Sequence, residues 1–102
     1  MIYLKQHDTE KGRIIAMCDE KVLGRVLSEG VREVDLNKYA GFYRGELVNS
    51  EKAAEEIGDE KFYSANVVGE ESVKVFLKKG MADQGSVAVV EGVPFIQIFL
   101  IE

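Results

Sequence analysis

The sequence predicts a single α+β domain, with a mainly antiparallel or mixed sheet, two short helices packed on it, and the C-terminal strand near its centre. Three observations lead there. Residues 66–80 read as a short buried strand, a glycine turn and one amphipathic helix with Val73, Phe76 and Leu77 on one side. β-branched runs flank turn-forming residues at both ends of the chain. Residues 95–101 are apolar on both alternating faces except at Gln97, which is the pattern of a strand covered on both sides.

With 102 residues, 46% hydrophobic and 30% charged, the chain is long enough for one hydrophobic core and too short for two domains. The net charge is −5 and lies entirely in the second half, since residues 1–50 carry eight basic and eight acidic side chains. That balance argues against a protein whose main task is gripping phosphate backbone, because such binding comes from clustered Lys and Arg. The single Cys18 forms no intrachain disulfide, which fits a reducing compartment. The first residues lack the apolar run of a signal peptide, and no stretch reaches the roughly 20 apolar residues of a membrane span, so a cytoplasmic location without membrane contact is expected.

Taken in order, residues 2–7 and 13–18 read as a hairpin around Asp8-Thr9-Glu10-Lys11-Gly12. Pairing His7 with Arg13 puts Ile2, Leu4, Ile14, Ala16 and Cys18 on one face, and a slip of one residue would exchange the faces. Asp19 is placed to cap a short turn that Gly24 ends. Residues 25–28 and 31–36 form a weaker hairpin around Glu29-Gly30. Residues 38–46, with two glycines and three aromatics, read as an irregular loop, followed by a brief strand at Leu47 and Val48. Ser50 is the expected cap of a helix over residues 51–57 that stops at Gly58.

Residues 62–68 lead as a strand into Gly69. In the following helix, Glu70 and Glu71 sit at the positive end and Lys78 and Lys79 at the negative end, before the stop at Gly80. A last hairpin joins residues 87–90 to residues 95–101 through Glu91-Gly92. Pro94, which donates no ladder hydrogen bond, is expected at the strand's beginning or facing an edge.

Several chemistries are excluded or demoted by spacing. In the hairpin above, His7 and Cys18 are about five residue steps apart, near 17 Å at ~3.3 Å per residue, so they form no nucleophilic dyad. Cys18 reads as a small buried hydrophobe and His7 as a solvated turn residue. One His and one Cys supply no closed zinc site, no calcium loop is present, and no cofactor is implied.

Two loops remain. The helix N-terminus after Asn66 and Gly69, beginning at Glu70, presents backbone N–H groups that can receive an anion or ligand, although one glycine is no phosphate-binding loop. The loop Tyr43-Arg44-Gly45-Glu46, with its preceding aromatics, can stack on or anchor a partner. A binding surface would use Tyr43 as the stacking contact and Arg44 as the polar anchor, with Asn66 and Gly69 shaping the pocket.

The segments His7-Asp8-Thr9-Glu10-Lys11-Gly12-Arg13, Ala16-Met17-Cys18-Asp19, Tyr43-Arg44-Gly45-Glu46-Leu47, Ala65-Asn66-Val67-Val68-Gly69-Glu70 and Gly92-Val93-Pro94-Phe95-Ile96-Gln97-Ile98 together span nearly the whole chain. In these segments the chain resembles a family of small archaeal proteins described as a conserved domain of unknown function. The family pattern reads Pro-His where this chain has Pro94-Phe95, so no role of that histidine carries over. The resemblance implies a stand-alone cytoplasmic α/β protein of an archaeon, accessory to translation or information processing.

The expectation is therefore a non-enzymatic binding or adaptor module, monomeric or homodimeric, whose partner is a protein or a ribonucleoprotein component. A small enzyme would require Glu46, Glu70 and Arg44 to converge in one cleft. A direct RNA binder would require Arg13, Arg25, Arg32 and Arg44 on one face.

Overall fold

The N-terminal hairpin forms where the β-branched runs predict it, but in the other register. β1 (Ile2–Thr9) and β2 (Gly12–Asp19) are joined by Glu10 and Lys11 alone, so His7 faces Ile14, Leu4 faces Met17 and Ile2 faces Asp19. Thr9 Oγ1 tightens the turn, donating to the Gly12 carbonyl at 2.8 Å and accepting from Lys11 N at 3.2 Å. The expected faces are therefore exchanged: Ile2 and Leu4 share a side with Ile15 and Met17, while Ala16 and Cys18 lie on the other. The cause is visible in β2 itself. Residues 14–18 are apolar at every position, so hydrophobic alternation fits either register and turn length alone decides.

The computed structural model describes residues 1–99. After β2, residues 20–24 form a turn on the Asp19 carbonyl, and β3 (Val26–Glu29) and β4 (Arg32–Asp35) make a separate two-stranded sheet. Its connection is Gly30 and Val31, one residue later than expected. Leu27 and Leu36 are fully buried beneath it. The stretch predicted to be an irregular loop contains a single helical turn, α1 (Ala40–Tyr43), followed by the short strand β5 (Glu46–Val48).

α2 (Ser50–Ile57) is capped one residue earlier than predicted: Asn49 accepts from Lys52 N at 2.8 Å, and Ser50 is already helical. β6 (Ser64–Val68) leads through Gly69 into α3 (Glu70–Lys78), and β7 (Ala88–Val90) and β8 (Val93–Phe99) close the chain with a two-residue turn at Glu91-Gly92. Both turn residues have positive φ, 49° and 76°, as a type I′ hairpin requires.

The six-stranded sheet runs β5-β1-β2-β6-β8-β7, antiparallel except for the parallel pair β2–β6 at its middle. β8 is interior, hydrogen-bonded to β6 and β7. Pro94 is its second residue, and its carbonyl accepts from Gly69 N at 2.9 Å. Leu100 and Ile101 of the predicted strand lie outside the described residues.

Two cores result. α2 and α3 cover one face, where Ile2, Leu4, Ile15, Met17, Val67, Phe76 and Ile96 are buried. The β3–β4 hairpin and α1 cover part of the other, over Ala16, Cys18, Val68 and Val90, with Tyr43 packed among them. The cover on this second face is incomplete, and the prediction that both sides of the last strand are buried fails at Phe99, which is 65% exposed.

Candidate functional site

The uncovered part of the second face forms an open groove of about 830 Å³. Its walls are β4 with Val31, and Tyr39, Phe42 and Tyr43 from α1 and its approach; its floor is Asn66 of β6, Phe95 and Gln97 of β8, and Ala88 of β7. The volume falls in the ~300–1,000 Å³ range of ligand clefts. In the parallel and antiparallel ladders Asn66 lies beside Ala16 on one side and Gln97 on the other, so a polar side chain occupies the middle of the sheet.

Gln97 Nε2 donates to Asn66 Oδ1 at 3.3 Å. Among the described residues no hydrogen bond engages Asn66 Nδ2 or Gln97 Oε1, so these two groove-lining side chains keep an amide donor group and an amide acceptor without a protein partner.

The aromatic wall is fixed from behind. Phe42 stacks on His7 with ring centroids 4.8 Å apart and planes 7° from parallel, and it meets Tyr43 edge-on at 5.1 Å. His7 Nε2 lies 3.0 Å from the Phe42 carbonyl. His7 is thus a half-buried support for the wall rather than the solvated turn residue the sequence suggests. Tyr39, 55% exposed, stands at the open side. Arg32, Glu33 and Asp35 bring the wall's charges, and Asp35 Oδ1 accepts from Asn37 N and Lys38 N at 3.0 and 2.7 Å.

Of the residues singled out in the sequence, Tyr43 and Asn66 meet in this groove. Tyr43 is 7% exposed, and burial, then the neighbouring Cys18, pushes its hydroxyl up to about 12, so it contributes an edge of the wall rather than a free stacking ring. Arg44 and Glu46 are exposed and are not among the groove's lining residues. Gly45 is a packing residue: a Cβ there would run into the Leu4 carbonyl of β1. Glu70 lines a separate concavity of about 200 Å³ with Lys21, Arg25 and Pro94. Glu46 on β5 is three strand positions from β6 and the Glu70 that follows it, about 14 Å at ~4.8 Å per strand, so the carboxylate convergence required of a small enzyme is absent.

The N-terminus of α3 is filled from within. Asp19, only 1% exposed, accepts from Glu71 N at 3.0 Å, Ser72 N at 2.9 Å and Ser72 Oγ at 2.7 Å. The donors expected to face an external anion therefore hold the chain's own carboxylate, and Asp19 caps this helix by its side chain rather than its own turn. Gly69 is required beside it, with φ +109° and a Cβ position that collides with the Asp19 carboxylate. Sequence reasoning missed this role; the available signal was a helix with glycine at its cap position and Ser72 three residues on.

Cys18 is buried, and burial, then the Asp19 carboxylate, pushes its thiol up to about 12. With His7 opposite Ile14, it stands four steps along β2 from that pair, about 13 Å at ~3.3 Å per residue. The arginines do not gather on one face. Arg13 serves the helix side, donating to the Ile57 and Glu60 carbonyls at 2.8 and 2.7 Å, whereas Arg32 lines the groove opposite. Among the described residues no group of three or more His, Cys, Asp or Glu side chains is placed to hold a metal ion, and no helix is long and apolar enough to cross a membrane.

A family described as "Protein of unknown function (DUF424)" matches residues 7–101. Among solved structures, the chain is similar to an uncharacterized conserved protein from Methanopyrus kandleri. The two are 28% identical, the match covers 96% of this chain and 90% of that one, and the TM-score is 0.79. No curated protein matches.

Proposed function

The chain belongs to the DUF424 family of proteins of unknown function, and from its groove we propose that it is a non-enzymatic binding or adaptor module for a protein partner, including a protein component of a ribonucleoprotein. The observation that carries the reading is the Asn66–Gln97 amide pair, a polar spot in the middle of the sheet beside the apolar cluster of Ala16, Cys18, Val68 and Val90. Amides and aromatics recognise shape and hydrogen-bond pattern; they do not supply a nucleophile or a proton near neutral pH. Burial keeps the Cys18 thiol and the Tyr43 hydroxyl protonated. The contact surface therefore comprises Tyr39, Phe42 and Tyr43 on one side and Asn66, Phe95 and Gln97 on the floor.

Affinity capture with three baits tests this. Gln97 is exposed, so Gln97→Trp obstructs the groove with little cost to the fold, and Arg44→Ala alters a neighbouring exposed residue outside it. A partner recovered by the native chain and by Arg44→Ala, and lost with Gln97→Trp, is the expected result. Equal recovery from all three removes the groove from the contact surface.

A further inference from the structure

We propose that the groove reads the main chain of an extended peptide segment in the partner protein, an inference that rests on the binding reading above and specifies its ligand. In an extended chain the N–H and C=O of one residue point the same way, and a donor beside an acceptor complements them. Gln97 Nε2 bonds Asn66 Oδ1 at 3.3 Å, and the groups that this bond leaves over, Asn66 Nδ2 and Gln97 Oε1, supply a donor and an acceptor on neighbouring strands. Turning both amides over leaves the same pattern, one donor and one acceptor, because one N–H···O bond still joins them. Tyr39, Phe42 and Phe95 flank the pair with apolar surface for the side chains on either side of the bonded residue.

Charge selects among extended polymers. Glu33 and Asp35 stand against Arg32 on the wall and Lys38, whose Nζ lies 5.5 Å from the Tyr39 ring centroid, so the groove itself is balanced in charge; the −5 of the whole chain then disfavours a phosphate backbone and not a neutral or basic peptide.

The full chain, immobilised, is screened against a display library of random linear 12-residue peptides, and an enriched peptide is synthesised for titration. Three results are expected. Gln97→Ala and Asn66→Ala each weaken the peptide about tenfold, the scale of one good hydrogen bond. N-methylation of one particular peptide amide gives a loss of the same size. The urea midpoint of Gln97→Ala matches that of the native chain, so its loss of binding is not a loss of fold.

An enriched peptide that binds Gln97→Ala as well as the native chain, or an N-methylation scan without a sensitive position, overturns the main-chain inference. A parallel titration with 12-nucleotide oligo-U and oligo-A separates the two readings. Binding of RNA that Gln97→Ala abolishes, with no peptide enriched, overturns the peptide inference while the groove stands. Failure of both probes, together with equal capture by the native and Gln97→Trp baits, overturns the groove itself.

Discussion

Asp19 shows how much one side chain carries in this fold. It is a buried carboxylate with three donors, all from the first turn of α3, and it lies 52 residues from Glu71 in the chain. Hydrogen bonds to a charged group are worth about 1.5–3 kcal/mol each, and removing their acceptor also leaves buried donors unsatisfied. Asp19→Ala is therefore expected to cost about 3–5 kcal/mol, and Ser72→Ala, which removes only the hydroxyl bond, about 1.5–3 kcal/mol. Urea denaturation of the variants checks the order. If Asp19→Ala were no worse than Ser72→Ala, the carboxylate would not be what anchors the helix. Neither role could be read locally, because Asp19 also suits a turn of its own. Gly69 supplies no side-chain oxygen, and the partner that explains both residues arrives from a different strand.

At the level of elements, helix starts and hairpin turns were legible to within a residue or two, and the one-residue errors have identifiable causes. Asn49 and Ser50 are both good caps, so the sequence permits either start; the structure uses Asn49, whose Oδ1 reaches Lys52 N. Asn49→Ala is accordingly expected to destabilise by about 1 kcal/mol, and Ser50→Ala, at the first helical position, by a few tenths at most. Equal effects of the two in thermal or urea unfolding would contradict the assignment. The other end of α2 is held by Arg13, whose guanidinium bonds the Ile57 carbonyl and the loop at Glu60. Helix α1 escaped prediction because four residues are too few to show a period, and it forms because Phe42 and Tyr43 are pinned against His7 and the second core.

For the whole molecule, the consequence of a two-sided sheet is that acid groups are buried along with the apolar ones. Cys18 and Tyr43 both belong to the second core, and burial raises each to about 12 from ordinary values of 9.0 and 10.0. A raised folded pKa means that the unfolded chain ionises first. The stability these groups contribute is present in full below about pH 9 and is lost as pH rises toward 12. The urea midpoint is expected to fall between about pH 9 and pH 12, and to fall less in a Cys18→Ala, Tyr43→Phe variant. Parallel curves for the two proteins would show that burial of these groups does not drive the alkaline loss.

The amino-acid order by itself determined the α+β class, the positions of the two longer helices, the hairpin turns and the burial of Cys18, because each follows from periodicity or turn chemistry within about ten residues. Family membership was legible from segments spread along the chain. Only the tertiary structure decided the register of β1 on β2, the capture of Asp19 by α3, and the meeting of Tyr43 with Asn66 while Arg44 and Glu70 stay outside. Those outcomes depend on contacts between distant segments. An all-apolar strand such as residues 14–18 satisfies the core in either register, so its local pattern does not encode which face the rest of the chain will cover.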